Sequence, residues 1–228
     1  MYIKLQSGGG VQIKGVLFDL DGVVIDTEKL YTRFWMEGAH ALGYPMTRDQ
    51  ALQLRSLGSG LGQGKMESFF GQGVVYADIR AKRIEFMEAY IAEHGVEEKE
   101  GIRELLAFLK KNGIPCAITS SSSLEVIRRH LSSLGLLDGF AALCSGKDVP
   151  NGKPAPDIYL HGAAAIGVKP EECLAIEDSP AGIESAWRAG CKSVIVPDQD
   201  QPDQVTLSRC FAKADSLTDV MELLRSQL

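Results

Sequence analysis

The chain has 228 residues, a length that suits one large domain or a core domain carrying a smaller one. Hydrophobic residues make up 45% of it and charged residues 24%, values that are ordinary for a globular protein. The net charge of −6 argues against nucleic acid or an anionic membrane as the main partner, so a polyanionic ligand would need a local cation.

The cysteines do not form a disulfide or zinc pattern. Their number is odd, they are widely spaced, and no two form a CxxC pair; they are Cys116, Cys144, Cys173, Cys191 and Cys210. This pattern favours reduced, buried thiols. The first ten residues, MYIKLQSGGG, lack the apolar segment of a signal peptide, and no run approaches transmembrane length. We therefore expect a cytoplasmic protein.

The first apolar run predicts a strand over residues 11–20, and a long helical region follows it. From about residue 30 to residue 94 the periodicity is helical, and glycine-rich joints separate the segments. The predicted helices are YTRFWMEGAHAL, MTRDQALQLRSL, MESFF and ADIRAKRIEFMEAYIAEHG.

After Glu100 helices alternate with short apolar strands, which predicts βαβ units. The fold class is therefore α/β: a Rossmann-like parallel sheet with helices on both faces and an inserted small helical cap domain. We expect the core domain to comprise residues 11–29 and 99–228, and the cap residues 30–98. A unit of this size needs no partner to bury its core, which favours a monomer. A Ser122-x-x-Glu125 pattern suggests a capping box at one helix start.

Polar side chains cluster in the sequence where the predicted strands end. Asp19 and Asp21 follow the first apolar run, Thr119 and Ser120 end IPCAITS, and Glu177 and Asp178 end ECLAIED; Lys153 lies in GKPAPD, before a helix. Since functional groups gather at the carboxyl ends of parallel strands, four acidic groups, one lysine and one hydroxyl could converge there.

Each of these groups has a possible chemical role in phosphoryl transfer. Clustered carboxylates without His or Cys suit Mg²⁺ better than zinc. A carboxylate beside Mg²⁺ and a lysine can attack phosphorus, and a second one two residues on can act as general acid and base. The Thr119 hydroxyl and backbone N–H groups can bind phosphate oxygens, and Lys153 adds positive charge. Taken singly, each motif is also typical of a solvated turn or a helix cap.

Together, FDLDGVVIDTE, ITSSS, GKPAPDIY and IEDSPAGIESAWRAG resemble the haloacid dehalogenase-like hydrolase superfamily, in particular the subfamily of β-phosphoglucomutase and the sugar-phosphate phosphatases. The resemblance covers nearly the whole chain. It implies that Asp19 is the nucleophile that forms an aspartyl-phosphate and that Asp21 is the general acid/base. It implies that Thr119 binds the phosphoryl group, with Ser120 beside it, and that Lys153 stabilises the nucleophile. Mg²⁺ would be held by Asp19, Asp178, Glu177 and the backbone carbonyl of Asp21.

The cap departs from the mutase pattern of this subfamily. Tyr31 stands where the mutases carry a histidine, whereas Trp35 matches the mutase pattern. In the mutases, a lysine and an arginine of the cap form a cationic clamp that holds the second charged group of the sugar phosphate. Here Arg55 lies near the position of that lysine, and Ser59 stands at the position of that arginine. Losing a cationic clamp harms a mutase more than a hydrolase, which favours a phosphatase. Tyr31, Trp35, Arg55 and Lys82 are candidates for lining the substrate cleft, although the aromatic pair at helical spacing is also typical of a core.

The sequence therefore predicts a Mg²⁺-dependent phosphatase acting on a small, sugar-like phosphomonoester, with neither nucleic acid nor a membrane as partner. The first alternative is a phosphosugar mutase, which would require a bisphosphate activator. The second is a non-catalytic binding protein on the same fold. The second alternative predicts the loss of Asp19, Asp21, Lys153 or Asp178, and the chain has all four.

Overall fold

The computed structural model describes residues 3–4, 12–54, 59–199 and 201–226. The chain divides into two compact units, one formed by residues 1–26 and 97–228 and the other by residues 27–96. In the described ranges, no helix combines the length and the apolar character needed to cross a membrane.

The first unit is an α/β unit built on one seven-stranded sheet in the order β1-β7-β6-β5-β2-β3-β4. Its strands are β1 (Ile3–Lys4), β2 (Gly15–Phe18), β3 (Cys116–Ser120), β4 (Ala142–Ser145), β5 (Cys173–Glu177), β6 (Lys192–Ile195) and β7 (Ala212–Lys213). All neighbours are parallel except β1, which pairs antiparallel with β7. The predicted parallel α/β sheet is therefore confirmed.

The central strands are buried at every position because both faces of the sheet are covered. All residues of β2, β3 and β5 are buried, so they do not show the alternation of a half-exposed strand. Helices of the unit are α5 (Ile102–Lys111), α6 (Leu124–Ser133), α7 (Asp157–Ala165), α8 (Pro180–Arg188), α9 (Gln204–Arg209) and α10 (Leu217–Arg225). The α5 helix illustrates their pattern: it buries one stripe, formed by Ile102, Leu105, Leu106 and Leu109.

Two local predictions about helix and strand ends needed correction. The N-cap of α6 is Ser123, whose hydroxyl accepts a hydrogen bond from the Val126 N–H at 3.4 Å, so the Ser122-x-x-Glu125 capping box is wrong by one residue. The first predicted strand is shorter than residues 11–20, since β2 spans only Gly15–Phe18. Asp19 nevertheless continues the strand pairing, because its N–H donates to the Ile176 carbonyl at 3.0 Å.

In the described residues of the second unit, the regular elements are all helices. It consists of α1 (Glu28–Ala41), α2 (Arg48–Leu52), α3 (Ser59–Phe70) and α4 (Tyr76–His94). Its core contains Trp35, Met46, Met66, Tyr76 and Ile79. The α1 and α4 helices approach closely at Gly38, where a Cβ would lie 2.8 Å from the Arg83 backbone nitrogen.

Candidate active site

Three carboxylates lie together at the carboxyl ends of two adjacent parallel strands. Asp19 follows β2, Glu177 is the last residue of β5, and Asp178 comes next. All three are buried, and one carboxylate oxygen from each lies within 4.8 Å of the others. An all-oxygen donor set this compact matches the ligands that Mg²⁺ prefers, so these residues fit a hard divalent cation.

Lys153 is the cation of this cluster. It lies in the loop before α7, its side chain is 8% exposed, and its ammonium donates hydrogen bonds to Asp19 Oδ1 and, at 2.5 Å, to Glu177 Oε1. Burial alone would lower the pKa of Lys153, but the two carboxylates outweigh it and raise that pKa. The lysine therefore stays protonated and links the end of β2 to the end of β5.

Asp19 experiences opposing influences on its ionisation. Burial raises the pKa of the Asp19 carboxyl well above its usual value, while the Lys153 ammonium acts in the opposite direction. The neighbouring carboxylates of Glu177 and Asp21 raise it further. One lysine therefore does not neutralise the cluster.

The Glu177 carboxylate is held on several sides by residues that lie before and after it in the chain. Its Oε1 accepts a hydrogen bond from the Tyr159 hydroxyl as well as from Lys153, and its Oε2 accepts one from the Ser179 hydroxyl at 3.2 Å. A Cβ on Gly182 would lie 1.9 Å from Glu177 Cδ, so only glycine leaves room for this carboxylate beside α8. Neither Tyr159 nor Gly182 was among the predicted site residues.

Asp21 is not one of the three clustered carboxylates, and its side chain has a different hydrogen-bond partner. Its Oδ2 accepts a hydrogen bond from the Ser122 hydroxyl at 3.2 Å, and its side chain is only partly buried. The turn after it depends on Gly22, whose φ of 81° favours glycine. Ser122 is thus a site residue that the sequence analysis missed, since it was interpreted there as part of a helix cap.

The two residues predicted to bind phosphate occupy different positions at the end of β3. The Thr119 hydroxyl is fully buried and donates to the Phe18 carbonyl at 3.1 Å, so it is directed into the sheet. The Ser120 hydroxyl accepts a hydrogen bond from the Ser122 N–H at 3.0 Å. The geometry brings Ser120, and not the Thr119 hydroxyl, into the segment that contacts Asp21.

The residues predicted to line a cleft all belong to the helical unit. Tyr31 is partly exposed and Trp35 is buried; the Arg83 guanidinium carbon lies 4.7 Å from the centre of the first ring and 5.1 Å from that of the second. Lys82 instead forms an exposed ion pair with Glu85 at 2.8 Å. The predicted Arg55 lies outside the described residues.

The sequence and the fold of the chain match those of known proteins. Residues 13–190 match the model of the haloacid dehalogenase-like hydrolases. Hexitol phosphatase A of Escherichia coli (strain K12) is 36% identical over 190 residues, which are 82% of this chain and 84% of that protein. Beta-phosphoglucomutase of Bacillus subtilis (strain 168) is 33% identical over 200 residues, with 83% and 85% covered. The structure of a CbbY variant from Rhodobacter sphaeroides in complex with xylulose-(1,5)bisphosphate is similar at a TM-score of 0.72 and 26% identity, over 91% of this chain and 96% of that one.

Proposed function

The chain belongs to the haloacid dehalogenase-like hydrolase family, and we propose that it is a Mg²⁺-dependent phosphatase that hydrolyses a phosphorylated carbohydrate. The observation that carries the proposal is the buried group of Asp19, Glu177 and Asp178 with Lys153 hydrogen-bonded between two of its members. The relatives named hexitol phosphatase support a sugar or sugar-alcohol phosphate as the substrate class.

In the proposed reaction Asp19 is the nucleophile. One of its carboxylate oxygens attacks phosphorus, the bond from phosphorus to the sugar oxygen breaks, and Asp21 donates a proton to the departing oxygen. Water then attacks the aspartyl-phosphate while Asp21 takes up one of its protons, which releases phosphate and restores both carboxyl groups. Lys153 orients Asp19 through its hydrogen bond and offsets the charge that builds up on the phosphoryl oxygens.

The remaining site residues hold and orient the reacting groups. Asp19, Glu177 and Asp178 would hold Mg²⁺, together with the backbone carbonyl of Asp21; when bound, the ion supplies positive charge that keeps Asp19 ionised and binds phosphoryl oxygens. For phosphate binding we propose Ser120 and the backbone N–H groups after it. Ser122 positions Asp21 through the hydrogen bond at 3.2 Å.

We also propose that the helical unit, residues 27–96, acts as a cap that selects the substrate. Its aromatic pair Tyr31 and Trp35 and the predicted Arg55 remain candidates for that role. The buried free cysteines agree with a reducing compartment, which supports the expectation of a cytoplasmic protein. Gel filtration of the purified chain would test the expected monomer.

The test of the proposed function is phosphate release from a panel of hexose, hexitol and pentose phosphates in the presence of Mg²⁺. We expect release by the unmodified chain and its loss in Asp19→Asn, which keeps the size of the side chain but removes the nucleophile. The matched control is Asp138→Asn, which alters an exposed carboxylate outside the site and should leave the rate unchanged.

Two results would contradict the proposed phosphatase activity. Release that persists in Asp19→Asn would exclude the assigned nucleophile. Isomerisation of glucose 1-phosphate that depends on an added bisphosphate, without net phosphate release, would instead establish the mutase alternative, which the relative named beta-phosphoglucomutase favours.

A further inference from the structure

The chain around Asp21 forms a compact loop. The Gly22 N–H donates a hydrogen bond to the Ile25 carbonyl at 2.9 Å. The N–H groups of Val24 and Ile25 both donate to the Leu20 carbonyl, at 2.9 and 3.0 Å. Since these bonds close the loop on itself, any displacement of the loop also displaces Asp21.

Residues 97–99, with which the chain returns to the first unit, pair with the end of this loop. The Asp26 N–H donates to the Glu97 carbonyl at 2.8 Å, and the Lys99 N–H donates to the Val24 carbonyl at 2.9 Å. The backbone of Lys99 is therefore bonded directly to the loop, so the position of one depends on the position of the other.

The Lys99 side chain connects this pairing to the end of another strand. Its ammonium donates a hydrogen bond to Asp198 Oδ1 at 3.0 Å and lies 3.8 Å from Asp26 Oδ1. Asp198 comes shortly after β6, and its side chain is only 10% exposed. The other oxygen, Asp198 Oδ2, has no hydrogen-bond partner among the described residues. Because a buried carboxylate without a partner is costly, the Asp198 carboxylate favours a structure in which Lys99 stays beside it.

The loop also borders a cavity, so packing alone does not hold it on that side. The cavity has a volume of about 360 Å³, and its lining includes Gly22, Val23 and Asp26 from the loop and Ser216 at the start of α10. Lys99 lines the same cavity. Atoms that face a void gain no dispersion energy across it, which leaves the polar contacts of Lys99 to fix the loop at this edge.

We propose that Lys99 is a positioning residue for the general acid/base. By linking the loop to Asp198, it keeps the Asp21 carboxyl group where it can reach the oxygen that departs from phosphorus. This inference rests on the proposed phosphatase function and adds to it a residue that acts through the position of Asp21.

The test compares two phosphate esters that differ in their need for a proton. The oxygen that departs from glucitol 6-phosphate has to be protonated by Asp21, whereas p-nitrophenyl phosphate releases a stable phenolate. The value of kcat/KM at saturating Mg²⁺ reports the attack by Asp19 and not the later attack by water. In Lys99→Met we expect kcat/KM to fall by about tenfold to hundredfold for glucitol 6-phosphate and by less than about threefold for p-nitrophenyl phosphate.

Two further variants separate positioning from stability. Lys99→Met leaves Asp198 without its lysine and should lower the melting temperature. The double variant Lys99→Met/Asp198→Asn removes the unpaired charge and should recover most of the melting temperature, while the loss on glucitol 6-phosphate remains. Lys14→Met is the matched control, since Lys14 forms an ion pair with Glu172 at 2.5 Å and lies before β2, at the opposite end of the sheet. It should leave the ratio of the two kcat/KM values unchanged.

The inference would be overturned by an unchanged kcat/KM for glucitol 6-phosphate in Lys99→Met, or by an equal loss on both esters. A loss that disappears in the double variant together with the loss of stability would also overturn it. Hydrogen exchange tests the loop without turnover, so it separates the inference from a failure of the proposed function, which would show as no phosphate release by the unmodified chain. The amides of residues 20–26 should exchange faster in Lys99→Met and at the unmodified rate in Lys14→Met; equal exchange in all three proteins would refute the role of Lys99.

Discussion

Replacing Gly182 by alanine tests whether the Glu177 carboxylate lies directly against α8, as it does in the structure. Gly182 lies in α8, and an alanine Cβ at this position would be 1.9 Å from Glu177 Cδ and 2.0 Å from each carboxylate oxygen. Nonbonded carbon atoms normally stay about 3.5–4.0 Å apart, so the carboxylate and the methyl group cannot both remain where they are.

Two opposing effects set the size of the change in stability. Alanine is preferred over glycine inside a helix by about 1 kcal/mol, which alone would stabilise the variant. A displaced Glu177 would lose its hydrogen bonds to the Lys153 ammonium, the Tyr159 hydroxyl and the Ser179 hydroxyl. Hydrogen bonds to charged groups contribute about 1.5–3 kcal/mol each, so losing two of them outweighs the helix term and leaves a net destabilisation of about 2–5 kcal/mol.

The measurement is the free energy of unfolding in urea, with phosphate release followed in parallel. The control is Gly64→Ala in α3, because a Cβ there meets nothing within 4 Å and the residue is exposed. Gly64→Ala should gain up to about 1 kcal/mol, the helix preference alone. Gly182→Ala should lose stability and at least about a hundredfold in rate, since a candidate metal ligand moves. If both substitutions stabilised the protein equally and activity were preserved, the position of the Glu177 carboxylate against α8 would be refuted.

Three further predictions concern the same unit. Tyr159→Phe should keep the fold, because the ring still fills its buried place, but should weaken Mg²⁺ activation by about tenfold, measured as the Mg²⁺ concentration for half-maximal rate. Chelation by EDTA should abolish phosphate release, and saturating Mg²⁺ should raise the melting temperature of the unmodified chain but not of Asp178→Asn. Burial raises the pKa of the Cys144 thiol to about 11 and that of the other four thiols to about 12. Thiols of the unfolded chain have a pKa of about 8.5, so the unfolded state releases protons first, and above about pH 8.5 the free energy of unfolding in urea should fall by up to about 1.4 kcal/mol per pH unit for each thiol. A free energy of unfolding that stays constant up to about pH 10 would contradict the burial.

The core of the site could be predicted from the sequence because charged residues stand out where a buried, apolar strand ends. Runs such as Val16, Leu17 and Phe18 are apolar at every position, so the first charged residue after them marks the edge of the sheet. That edge is where Asp19, Glu177 and Asp178 lie together in the structure. The edge strand β1 and the two-residue β7 were not predicted, since so short a segment carries no periodicity.

Other site residues escaped prediction because their function depends on contacts between segments distant in sequence. Tyr159 follows the KPAPD segment and resembles an ordinary core aromatic until its hydroxyl meets Glu177, 18 residues away. Lys82, which the sequence suggested as a cleft candidate, instead forms an exposed ion pair with Glu85 in the structure.

The charge balance of the site explains why the proposed reaction needs a cation besides Lys153. When ionised, Asp19, Asp21, Glu177 and Asp178 carry four negative charges, while Lys153 supplies one positive charge and is already hydrogen-bonded to two of the four. A phosphomonoester adds up to two more negative charges, and burial already favours the protonated form of Asp19, which cannot attack phosphorus. A divalent cation held by Asp19, Glu177 and Asp178 would remove both obstacles, because it would favour the ionised nucleophile and offset the charge of the phosphate. On the proposed function, therefore, substrate affinity should depend on Mg²⁺ concentration, whereas Mg²⁺ should bind in the absence of substrate.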